Sequence, residues 1–183
     1  MATLAPAEAL ASKMLAASDV RVRWSFGSAA RPRNQAQCTA DRLTIKIMFA
    51  QSQRAGLSRN HLAYTYPYDL AAPRVIVNYE NIPRNARESE AMSSVVLAHI
   101  MVHEVAHVLQ RISRHSDTGL MKANWSLADY AAMQTHPLPF APEDIILIHL
   151  GRLSWERSMC YASGPVSEQR GPQPEPPVYR GAR

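Results

Sequence analysis

Cysteine is nearly absent from this chain: two residues, Cys38 and Cys160, in 183. That excludes a disulfide-knitted scaffold. Whether these two pair stays open, since a bond needs an oxidising compartment and close approach in the fold. Glycine is scarce at seven residues, which excludes collagen-like and glycine-linker architectures. Charged residues are only 19% against 46% hydrophobic, too little charge for a disordered chain and enough apolar material for a core. No uninterrupted apolar run of about 18 residues occurs, so no membrane span is expected. The richest stretch, Val95 to Leu109, is broken by His99, His103, Glu104 and His107. The first twenty residues lack both a basic start and a continuous apolar segment, and read as an Ala-rich amphipathic helix rather than a secretory signal. As written, the chain is expected in the cytoplasm, or outside the cell if an upstream segment precedes this start.

What charge there is leans basic, with a net charge of +5. The arginines are scattered in local pairs such as Arg21/Arg23 and Arg31/Arg33, with no compact block interleaved with aromatics. This pattern reads as a solvated surface, and nucleic acid is not an expected partner.

Periodicity divides the chain into an ordered domain over 1–163 and a Pro-rich, disordered tail over 164–183. Residues 6 to 17 read as a helix with Leu10, Met14 and Leu15 on one side. Val20 to Trp24, Leu43 to Phe49, Leu62 to Tyr66 and Val75 to Tyr79 read as strands. Ala29 to Gln37 and Gln51 to Arg59 are polar and read as loops. Residues 88 to about 112 contain no Gly or Pro and predict the longest helix. Ser126 is placed to cap a short helix, SLADYAAM, and Pro142 to open another, PEDIILIHLGRLSWERSM, with Glu143 and Asp144 in its first turn. The class is α+β, a small sheet packed on one long helix, followed by shorter helices.

The long helix carries His103-Glu104-Val105-Ala106-His107, the H-E-x-x-H spacing. Four residues turn a helix by about 400°, so the two imidazoles lie on one face, one turn apart, where a single Zn²⁺ can accept both. Glu104 is adjacent to the first ligand, where a carboxylate can take a proton from a metal-bound water. A catalytic zinc takes three protein ligands and leaves one position open. His115 is the leading third ligand. On a continuous helix it would lie about 12 Å beyond His107. The helix must therefore end near Arg111 to Ser113 and the chain must turn back, although no Gly or Asn lies between 108 and 114. Asp117 and Asp129 are fallback oxygen ligands, and Glu143, Asp144 and Glu156 would suit a helix carboxylate as third ligand. His99 is one turn before His103, with no glutamate after it. It reads as a packed or hydrogen-bonded support, with direct ligation as the alternative. His61, His136 and His149 have no partner pattern. Trp125 reads as an anchor behind the metal loop.

His103-Glu104-x-x-His107, then His115-Ser116, then Leu120-Met121, resembles the metzincin zinc peptidases, most closely the matrixins. The chain is similar also to short predicted bacterial metallopeptidases with an HExxH helix and a later HSxxGxM followed by Ala-x-Trp, here His115, Ser116, Gly119, Met121, Ala123 and Trp125. The resemblance is specific over residues 75 to 127. It implies a zincin-like fold, a small twisted mixed sheet over the active-site helix. It implies one catalytic Zn²⁺ on His103, His107 and His115, with Glu104 as general base and proton shuttle. It implies a turn at Met121 beneath the metal, and a peptide substrate extended along an edge strand near Val75, Ile76 and Val77. The chain departs from the metzincin pattern at Gln110 and Ser113, where a Gly and the third His usually stand, and the histidine comes two places later. No tyrosine after Met121 is assigned to the oxyanion, although Lys122 is near.

The expected activity is hydrolysis of internal peptide bonds. The rival is a non-catalytic domain in which zinc staples loop 113–125 onto the helix while the basic surface or the Pro-rich tail binds a partner. Hydrolysis of a non-peptide amide would use the same residues.

Overall fold

Apolar residues fill every face of the segment 90–110, so the helix it forms is one that neighbours must surround. The computed structural model describes residues 3–26, 43–50, 61–68, 73–82 and 89–162. The predicted loops at 29–37 and 51–59, Cys38 and the tail 164–183 lie outside the described residues. Four helices and a small mixed sheet result, which makes the fold α+β.

The first helix, α1, spans Leu4–Ala16 and buries Ala7, Ala11, Met14 and Leu15. The two alanines let it lie close along the central helix, α2, which spans Glu90–Gln110. The Ser89 side chain caps α2 by accepting the Met92 N–H. From Val96 to Gln110 every residue of α2 is buried. By length and composition α2 is apolar enough to cross a membrane, but 89% of its apolar window is covered by the rest of the protein.

The sheet consists of β1 (Lys46–Ala50), β2 (Ala63–Thr65) and β3 (Arg74–Asn78) in the order β1-β3-β2. β1 runs parallel to β3, with Ile47 opposite Val75. β2 runs antiparallel to β3, with Ala63 opposite Val77. β3 is therefore central, and four consecutive residues, Val75 to Asn78, are buried. This corrects the expectation that Val75, Ile76 and Val77 lie at an edge. A strand paired on both sides has no backbone groups left for a substrate. Among the described residues the edges are β1 and β2.

A second correction concerns Val20 to Trp24. Its alternation is real, since Val20, Val22 and Trp24 pack half-buried on the core while Arg21 and Arg23 are exposed. Yet the segment is not a strand. It runs extended beside α1, with the Trp24 indole donating to Ser12 Oγ at 2.8 Å. Alternation reports one buried face and says nothing about what covers it.

The last two helices are α3 (Leu127–Met133) and α4 (Pro142–Ala162). A reciprocal capping box of Ser126 and Asp129 starts α3. α4 crosses the end of α2 at Gly151, where a Cβ would stand 2.0 Å from the Leu109 carbonyl oxygen. The Trp155 indole then donates to the Val108 carbonyl at 2.8 Å.

Candidate metal centre

His103 and His107 project from α2 with their Nδ1 atoms engaged. His103 Nδ1–H donates to the Leu120 carbonyl at 3.0 Å, and His107 Nδ1–H to the Ile112 carbonyl at 3.1 Å. A proton on Nδ1 leaves a lone pair on Nε2. These two Nε2 atoms face each other at 3.1 Å. No hydrogen bond joins two lone pairs, and burial pushes the rings down to about 4 for His103 and about 3 for His107, so neither is protonated near neutral pH. Two acceptors held this close, without a proton between them, make a slot for a cation. Tetrahedral ligands at about 2.0–2.1 Å from zinc lie roughly 3.3–3.4 Å apart, close to what is present.

The third ring arrives by a turn that sequence reasoning found costly. Arg111 ends α2 in the left-handed region at φ 58°, the position where glycine is usual. Its guanidinium is clamped on α4, at 2.6 Å from Ser154 Oγ, 3.1 Å from Ser158 Oγ and 5.1 Å from the centre of the Trp155 ring. The chain then folds back and brings His115, half-buried, into ring contact with His107 at 4.9 Å and His103 at 5.4 Å. One nitrogen from each of the three histidines lies within 4.8 Å of the others. Burial lowers His115 as well. Among the described residues this is the one group of three such side chains able to hold a metal.

The loop after His115 closes on itself. Ser116 N–H donates to the Met121 carbonyl at 2.8 Å, and Leu120 N–H to the Pro139 carbonyl at 2.8 Å. Gly119 turns at φ +71°, and a Cβ there would come within 2.3 Å of that same Pro139 oxygen. The Leu120 carbonyl accepts from both His103 and the Trp125 indole. Met121 is wholly buried within the core.

Glu104 is not one of the three clustered side chains. It is 7% exposed, one carboxylate oxygen has no hydrogen-bond partner, and burial pushes the group up to about 8. With His103 it lines a cavity of about 230 Å³, walled by Leu62, Ala63, Ile100, Trp125 and Tyr130, with Lys122 at its side.

The other sequence candidates fall away from the cluster. His99 donates from Nδ1 to the Val95 carbonyl at 2.7 Å and accepts the Leu138 N–H on Nε2 at 3.0 Å, so both nitrogens are used and it is a support. Asp117 is exposed, Asp129 is occupied by Lys122 and Ser126, and Glu143 pairs with Arg114. Asp144 binds Ser116, Arg114 and the Ala141 N–H, and Glu156 is not part of the cluster. Trp125 is both anchor and wall, edge-on to His103 at 5.7 Å and to Tyr130 at 6.3 Å. Sequence reasoning missed Tyr130. It belongs to a short helix with no local mark of function, and only packing on Trp125 brings it to the cavity. The alternating Tyr64, Tyr66 and Tyr68 made the β2 strand a candidate cleft wall, but the residues that line the cavity are Leu62 and Ala63 at its start. Comparison with protein-family models, with curated proteins and with solved structures finds no match.

Proposed function

We propose that the chain is a zinc-dependent endopeptidase of zincin-like, metzincin-type architecture. The observation that carries this reading is Glu104, a buried carboxylate with an unpartnered oxygen, lining the same cavity as His103. A metal that merely staples a loop needs four protein ligands and no such base. Here the cluster offers three, and the acid beside it is left with spare acceptor capacity.

His103, His107 and His115 would hold the ion, each through a neutral imidazole nitrogen. Zinc so held acts as a Lewis acid that acidifies water and polarises a carbonyl. Glu104 removes the proton from the attacking water, holds it on its carboxylate oxygen and passes it to the leaving amine. Burial raises this carboxyl's proton affinity in the metal-free protein, and a cation held by the adjacent histidines would lower it again towards the ionised form that a general base needs. A substrate backbone could extend along β2, which is an edge strand among the described residues as β3 is not. A substrate side chain entering between Leu62, Ile100, Trp125 and Tyr130 meets an apolar wall, which favours a hydrophobic residue beside the scissile bond.

The test combines zinc stoichiometry with digestion of an unstructured protein by wild type, His115→Ala and Glu104→Gln. One zinc per chain is expected, weakened in His115→Ala. Glu104→Gln should keep zinc and lose about 10²–10⁴-fold in cleavage rate, the usual worth of a general base. Full activity in Glu104→Gln would sink the mechanism. Tight zinc without cleavage by wild type would favour the stapled-loop reading, and absence of zinc would end both.

A further inference from the structure

His115 stands on a loop with no regular structure, yet both of its chain neighbours are tied to one atom. Ser116 Oγ donates to Asp144 Oδ1 at 2.6 Å, and Arg114 donates to the same oxygen at 3.3 Å. Arg114 also reaches Ser116 Oγ at 3.2 Å, which closes the triangle. The second carboxylate oxygen accepts the Ala141 N–H at 3.1 Å and locks the start of α4. Capping accounts for that second oxygen alone. Burial separates Asp144 from the neighbouring first-turn acid: the Glu143 side chain is 53% exposed and that of Asp144 is 1%. Withdrawing a carboxylate from water is costly unless its lone pairs are filled. Those on Oδ1 are filled entirely by the two residues flanking His115.

We propose that Asp144 is the positioning residue for the third metal ligand. Its Oδ1 grips the chain on both sides of His115 and holds the ring against His103 and His107 before any ion arrives. A side chain once weighed as a ligand thus acts through one. The inference rests on the metal-centre reading above and is independent of peptide hydrolysis.

The experiment is a double-mutant cycle on the full chain, read as Zn²⁺ affinity against a chromophoric chelator and as the visible absorption of bound Co²⁺. Ser116→Ala removes the loop bond and leaves the Asp144–Ala141 lock in place, so it remains informative even if Asp144→Asn folds poorly. In the otherwise wild-type chain, Ser116→Ala and Asp144→Asn should each weaken zinc about 10–100-fold, the usual cost of losing a residue that orients a ligand. They should also shift the Co²⁺ bands. In a His115→Ala background neither should weaken zinc further, because the group they hold is gone. Equal losses in both backgrounds would overturn the proposal. So would a lowered melting temperature of metal-free protein with unchanged affinity. A wild type that binds no metal would remove the metal centre and this inference together. Intact coupling in a protein that cleaves nothing would support this inference while overturning the peptidase reading.

Discussion

Arg111 is the residue on which the site's geometry turns. A left-handed conformation costs a residue with a Cβ about 1–2 kcal/mol relative to glycine. The guanidinium offsets this by binding Ser154 and Ser158 and stacking on Trp155. Arg111→Ala loses the clamp and keeps the strain, and Arg111→Gly loses the clamp and the strain together. In denaturant unfolding, Arg111→Ala should be the less stable of the two by about 1 kcal/mol. The reverse order would show that strain at this position is not what the clamp offsets. At this scale the pair His103 and His107 was legible, because i, i+4 adjacency is a property of any helix. Arg111 was not, since nothing adjacent to it in sequence holds its side chain.

At the scale of elements, the stretch from Leu138 to the start of α4 does the joining. Leu138 N–H meets His99, the Pro139 carbonyl meets Leu120, and Asp144 meets Ser116. One short segment thus ties the middle of α2 to both ends of the loop that follows His115. Gly151 lets α4 approach closely enough for this. Gly151→Ala would put a Cβ 2.0 Å from the Leu109 oxygen and 2.8 Å from the Gln110 Cα, both backbone atoms that cannot swing aside. α4 must then lift, loosening the Trp155–Val108 bond and the Arg111 clamp. We expect a loss of about 1–3 kcal/mol, as for other overpacked contacts, read as a fall in melting temperature. An unchanged melting temperature would mean that the helices do not need this contact. The helices themselves were legible from caps and periodicity, with Ser126, Pro142 and the first-turn acids marking their starts. Val20 to Trp24 misled because an extended segment against a helix alternates just as a strand does.

For the whole molecule, the buried site sets how stability of the metal-free protein depends on pH. His99, His103, His107 and His115 all bind protons less readily when folded than the ordinary 6.5. Below about pH 6.5 the unfolded chain gains protons that the folded one refuses, so stability falls, through about 4 for His103 and about 3 for His107. Glu104 has the opposite sign. Folded, it keeps its proton up to about 8 against an ordinary 4.5, so the stability it contributes below 4.5 is lost as pH rises through 8. Several imidazoles oppose one carboxyl. Metal-free melting temperature should therefore peak near pH 6.5, with a steep acid limb and a shallow alkaline one. Glu104→Gln should flatten the limb from about 6.5 to about 8 and steepen the acid limb above 4.5. Melts of chelator-treated protein across the range would show this, and an alkaline limb unchanged in Glu104→Gln would place its origin elsewhere. Added zinc should raise the curve wherever the histidines are neutral, because an ion that binds only the folded form stabilises it by mass action.

The sequence by itself determined the local matters: the long central helix, its two imidazoles one turn apart, the carboxylate beside them, and the starts of the later helices. These follow from interactions within a turn or two of chain, which residue order contains directly. Tertiary structure alone decided the rest. It made β3 central rather than an edge, brought Tyr130 and β2 to the cavity, and let Arg111 do a glycine's work by clamping it on α4. It also turned Asp144 from a possible ligand into the brace beside His115. Each of these depends on contacts between residues far apart in the chain. Their direction is set by how whole elements pack, which no local pattern encodes.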